Sequence, residues 1–128
     1  MLRFLSLLCA VALCAAHSYY ISEIPNGDKL PNPCGTGTWP GVGHWNLNGG
    51  GPQNPFGEAF AAAGHKWTVS LCQADSDNDG FSNGKEVGDL SCKWTKDKPV
   101  PLSAPIGQPG ICEPVNSTKC SKQSFSCP

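Results

Sequence analysis

The clearest chemistry in the sequence lies between Asp75 and Glu86, where the chain reads D-S-D-N-D-G-F-S-N-G-K-E. Carboxylates recur at Asp75, Asp77 and Asp79, and Gly80, Phe81, Asn83 and Glu86 follow with the spacing of an EF-hand calcium loop. Calcium is a hard cation that takes about six to eight oxygens, so alternate residues of a tightly curled chain must turn oxygen inward. The backbone carbonyl of Phe81 is one such oxygen. Gly80 admits the sharp turn because it lacks a Cβ. Glu86 is long enough to reach back and close the cage. Four carboxylates packed this tightly repel one another, and Lys85 offsets only one of them. A solvated acidic turn uses the same residue types, but the complete ligand set favours the ion. Ser82 stands where paired EF-hands carry an aliphatic residue, and no second loop follows. The expectation is a solitary calcium site with a structural role.

The elements that must hold this loop are fewer than usual. The residues before it, Trp67, Val69 and Leu71, alternate with Lys66, Thr68 and Ser70, the period of a half-buried strand. A true EF-hand needs a helix there, so the loop is expected to be set into a different scaffold. A second strand is expected around Val87–Trp94. The one expected helix starts at Asn54-Pro55, an N-cap with proline at the first helical position, and stops at Gly64. Phe56 and Phe60 share one of its faces.

The chain has 128 residues and a formal net charge of −1, enough for one domain and without a basic stripe for nucleic acid or anionic membranes. Arg3, an apolar run from Phe4 to Ala16 and the pattern Ala16-His17-Ser18 mark a secretory signal over residues 1–18. A single domain is expected over residues 19–128, with a cysteine-containing tail over 113–128. Of the 8 cysteines, Cys9 and Cys14 leave with the signal. The rest, Cys34, Cys72, Cys92, Cys112, Cys120 and Cys127, read as a disulfide framework in an oxidising compartment. A Cys72–Cys92 bridge would clip the two ends of the acidic loop together. No physical argument selects the remaining pairs, which are expected as Cys34–Cys112 and Cys120–Cys127. Gly35–Gly57 is rich in glycine yet carries Trp39 and Trp45, as an ordered loop pinned by aromatic anchors does. From Pro99 onward proline excludes helix and central strand. Asn116-Ser117-Thr118 is an N-glycosylation sequon. The expected fold class is a small, loop-rich, disulfide-rich domain of α+β or mainly-β type. It carries one short helix and an isolated EF-hand-like loop.

Catalytic chemistry is poorly represented. His44 and His65 could hold copper or zinc, but such metals want a third ligand and no H-x-H or H-E-x-x-H spacing supplies one. There is no G-x-S-x-G elbow, and disulfides occupy the thiols. The residues alone point to a secreted non-enzyme.

Several blocks of the sequence resemble the temptins, a family of secreted molluscan proteins. They are Ile24-Pro25-Asn26-Gly27, Trp39-Pro40-Gly41-Val42-Gly43-His44, Gly49 through Gly57, Ala62-Ala63-Gly64, Trp67-Thr68-Val69 and Leu71 through Asp89. The resemblance implies a component of a water-borne attractant pheromone that acts with other secreted proteins, such as attractin-like peptides, and with a receptor. It also implies the Cys72–Cys92 pairing. Temptin-like modules also occur in proteins related to copper monooxygenases, which keeps a copper-dependent redox module at His44 and His65 as an alternative. A disulfide-rich matrix or defence protein is a further alternative. Gln53 departs from the family pattern, where arginine is expected.

Overall fold

The computed structural model describes residues 20–128, so the expected signal segment lies outside the described residues. The elements that lie wholly among the described residues are α1 (Pro55–Ala62), α2 (Val69–Gln73), α3 (Asn83–Val87) and the 3-10 turn Thr118–Cys120. Among the described residues there are no strands, only the isolated bridges Pro31–Thr38 and His44–Gln53.

The helix at Asn54-Pro55 forms as its cap predicts. Asn54 Oδ1 accepts from the Gly57 amide at 2.9 Å, and Phe56 and Phe60 are buried on one face. Asn54 is itself fully buried, and its Nδ2 donates to the carbonyls of Val42 (2.9 Å) and His44 (3.1 Å). One side chain therefore starts α1 and ties it to the glycine-rich segment. The two backbones meet so closely at Gly43 and Gly57 that a Cβ on Gly57 would strike the Gly43 carbonyl.

The strand expected over Trp67–Leu71 is absent, and α2 stands in its place. Thr68 is its N-cap, accepting from the Leu71 amide at 3.1 Å. Trp67 and Leu71 are buried while Val69 is 57% exposed, so the apolar residues serve a helical spacing rather than alternate faces. A side-chain cap outweighed the β-propensity of Trp, Thr and Val. No strand forms over Val87–Trp94 either. There Gly88 ends α3 with a left-handed φ of 98°, and the chain turns back toward Cys92.

The core is Ile24, Leu30, Val42, Phe56, Phe60, Trp67, Leu71, Cys72 and Val87. Asp89 is buried beside it, and its Oδ2 accepts from Trp67 Nε1 (2.9 Å) and the Trp94 amide (3.3 Å). Three disulfides close the frame: Cys72–Cys92, Cys34–Cys127 and Cys112–Cys120. The expected pairs Cys34–Cys112 and Cys120–Cys127 are thus corrected. The turn Thr118–Cys120 folds the chain back onto Cys112, and Gln123 locks that loop by bonding both the amide and the carbonyl of Cys112 at 2.9 Å. Phe125 then stacks on Trp45 with centroids 5.3 Å apart and meets the Trp39 ring edge-on, which carries Cys127 across to Cys34.

Candidate metal centre

The helices α2 and α3 pack against each other, so the acidic stretch is a helix–loop–helix after all. Two devices set the approach. Gly84 of α3 sits where a Cβ would strike Cys72 Sγ, which places α3 directly on the Cys72–Cys92 bridge. Asn83, fully buried, donates from Nδ2 to the Leu71 carbonyl and to Ser76 Oγ, both at 2.8 Å, while its Oδ1 accepts from the Ser76 amide at 3.3 Å. Sequence spacing offers Asn83 as a ligand. The structure makes it the brace that joins the two helices.

Asp75, Asp77 and Asp79 each bring a carboxylate oxygen within 4.8 Å of the others. Asp75 stabilises the curl of the loop: its Oδ1 accepts from the Asp79 amide at 3.2 Å and its Oδ2 from the Gly80 amide at 2.9 Å. Asp79 Oδ1 accepts from the Phe81 amide at 3.0 Å. Gly80 takes a φ of 97°, the left-handed conformation that its place in the loop requires. Phe81 itself is 38% exposed, with the ammonium groups of Lys85 and Lys119 lying 4.9 Å and 5.5 Å from its ring centroid.

The deepest members are the least satisfied. Asp77 is 8% exposed and Glu86 3%, yet both oxygens of Asp77 and Oε2 of Glu86 have no hydrogen-bond partner. Burial, reinforced by the charges of Asp79 and Asp75, pushes the Asp77 carboxyl up to about 9. Burial pushes Glu86 up to about 11, with further contributions from Asp79 and Asp77. Orphaned buried acceptors of one charge sign are costly in a chain alone. The set is all oxygen and all acidic, with Asp75, Asp77 and Asp79 gathered within 4.8 Å of one another, so it fits a hard divalent cation.

Sequence spacing gave no sign of the residues that approach this loop from the tail. Glu113, half-buried, is pushed up by burial first, held back by the bond its Oε1 accepts from the Gln108 amide (3.3 Å), and pushed up further by Asp79. Lys119 donates from Nζ to the Asp79 carbonyl at 3.1 Å. Both residues lie in the loop closed by Cys112–Cys120. No local motif could announce them, because the loop reaches the site only through tertiary folding.

His44 and His65 are brought to one cleft of about 240 Å³, lined also by Tyr20, Ile24, Phe56 and Phe60. The His65 ring stacks on Tyr20 at 4.2 Å with an interplanar angle of 6°, and His44 Nδ1 lies 3.2 Å from the Gly51 carbonyl. Among the described residues, Asp75, Asp77 and Asp79 are the one group of three or more His, Cys, Asp or Glu side chains close enough to share a metal, and it includes neither histidine. Asn116 is exposed.

A family model described as Temptin C-terminal matches residues 14–111. Temptin from Aplysia californica is 50% identical over 109 residues, covering 84% of this chain and 86% of its own. The chain belongs to the temptin family. No solved structure matches it. The temptin match includes the acidic loop, the cleft and the Cys72–Cys92 bridge, and it stops just before Cys112. The disulfide-closed loop that carries Glu113 and Lys119 therefore lies beyond the part matched by the family model. No described helix is long and apolar enough to cross a membrane.

Proposed function

We propose that this temptin-family chain is a secreted, water-borne attractant component with a signalling rather than an enzymatic role. Its surface is read together with other secreted proteins, such as attractin-like peptides, by a receptor. The observation that carries this reading is the 50% identity to Temptin over 84% of the chain. A released signal meets dilution and proteases, and a cross-linked, ion-filled fold resists both. Each bridge restricts the unfolded chain and contributes about 2–4 kcal/mol. Depleting the protein from conditioned water should abolish attraction, and adding back the oxidised protein should restore it. Undiminished attraction after depletion rejects the signalling role.

Within that role we infer that Asp75, Asp77, Asp79, the Phe81 carbonyl and Glu86 hold one calcium ion. The orphaned oxygens of Asp77 and Glu86 support this reading. Extracellular calcium is millimolar, so even a weak site with a dissociation constant of about 10⁻⁴ M stays filled. The ion acts as a structural part rather than a switch. Native mass spectrometry before and after chelation decides: one calcium lost on chelation is expected. Copper retained in its place would transfer attention to His44 and His65, which share a cleft.

A further inference from the structure

Three chain segments converge on the acidic centre, and only one of them is the EF-hand-like loop. The Glu86 carbonyl accepts from the amides of Ile106 (2.8 Å) and Gly107 (3.3 Å), so the returning chain is fastened to α3 at the residue that closes the cage. Gly107 lies so near that a Cβ there would sit 3.5 Å from Glu86 Oε1. The next residue, Gln108, positions Glu113 through its amide. Lys119 then bonds the Asp79 carbonyl at 3.1 Å. Cys112–Cys120 encloses both Glu113 and Lys119 in one short loop, and Gln123 fixes the loop at Cys112.

We propose that the disulfide-closed loop Cys112–Cys120 is the second half of the calcium site. Glu113 supplies it with a further carboxylate, and Lys119 fastens the loop to Asp79. This rests on the calcium reading above and names the residues that complete the site. The independent pointer to an ion is the pair of side chains, Asp77 and Glu86, whose unpartnered oxygens are more than nine-tenths buried. Thermodynamic linkage makes the consequence reciprocal: if the docked loop raises affinity for the ion, the ion holds the loop docked by the same free energy. With the ion present, the Glu113 carboxylate favours docking. Lys119 offsets part of the charge around Glu113 and Asp79 in either state.

The test uses the full oxidised chain. Calcium chloride is titrated calorimetrically into the wild type, Glu113→Gln and Glu58→Gln, the last removing an exposed carboxylate on α1. Glu113→Gln keeps an acceptor for the Gln108 amide and removes the charge. It should weaken calcium about ten-fold or more, the size expected for a supporting carboxylate, while Glu58→Gln stays close to wild type. Hydrogen exchange at the Ser117, Cys120 and Ser121 amides, which close the loop's own turns, should slow when calcium is added to the wild type. That slowing should be reduced in Glu113→Gln. Should this variant not fold, Glu113→Asp, which keeps the charge but draws it back, gives the same affinity test. Equal affinity in the Glu113 and Glu58 variants, or loop exchange indifferent to calcium, overturns the proposal and leaves the calcium site standing. A wild type that takes up no calcium overturns both.

Discussion

The two halves of this molecule are built on opposite principles. The cleft half, from Gly41 to His65, is closed by matter it already contains. Its backbones touch at Gly43 and Gly57, Asn54 satisfies two carbonyls and caps α1, and Phe60 packs against both Phe56 and Tyr20. The acidic half, from Thr68 to Asp89, is closed geometrically by Asn83 and the Cys72–Cys92 bridge but is left electrostatically open. Its deepest oxygens lack partners. A packed apolar half owes its stability to the chain, whereas an acidic half with orphaned oxygens carries a burial cost that a bound cation would offset. The difference can be broken or sharpened by asking which perturbations depend on calcium.

The largest effect is expected in the half that should ignore the ion. Phe56 is fully buried, parallel to Phe60 at 6.0 Å and 6.4 Å from Trp67. Phe56→Ala removes that packing and leaves a cavity, which costs about 3–5 kcal/mol. Denaturant unfolding should show the same loss in calcium and in chelator. A loss that appears in only one of the two solutions would mean that the halves are not independent.

Chelation comes next, and pH gives it a sign. A calcium concentration about 100 times the dissociation constant stabilises the native state by about 2.7 kcal/mol. Chelator should remove that gain from the wild type, and Glu86→Gln should lack most of it from the start. In the metal-free protein Asp77 rises from 3.8 to about 9 and Glu86 from 4.5 to about 11. The folded state then binds more protons than the unfolded one. The stability associated with these protons is complete below the unfolded values near 4 and is lost as pH climbs toward 9 and beyond. Melting temperature in chelator should therefore fall as pH rises from mildly acidic to alkaline. Calcium competes with those same protons, so its stabilising increment should grow over that range. Parallel melting curves with and without calcium would contradict the site.

How much of this was legible in the sequence follows the same division. The gathering of Asp75, Asp77 and Asp79 could be read because these carboxylates are neighbours in sequence. Helix α1 could be read because Asn54 and Pro55 act on their immediate neighbours. The strand expected at Trp67 does not form because the alternation depends on Val69, which is exposed in the fold. Thr68, polar in that alternation, carries the correct signal as the cap of α2. Glu113 and the pairing of Cys34 with Cys127 could not be read at all. Both depend on where a proline-rich tail without regular structure happens to return.

That return is itself open to a test, and it carries the smallest expected effect. Phe125, half-buried, lies against Trp45 with centroids 5.3 Å apart and meets Trp39 at 6.1 Å with an interplanar angle of 81°. An aromatic pair contributes about 0.5–1.5 kcal/mol beyond the area it buries. Phe125→Ala should cost an amount of that order in the oxidised protein, because the Cys34–Cys127 bridge still holds the tail in place. During oxidative refolding, that bridge does not yet exist. The rings are then among the contacts that bring Cys127 to Cys34, and their loss should appear as slower or less faithful pairing. Peptide mapping of the refolded variant should recover mispaired Cys34 and Cys127 while Cys72–Cys92 forms normally. Correct pairing at the wild-type rate would show that the tail finds its place without the aromatic anchor, leaving Gln123 and the turn at Cys120 to direct it.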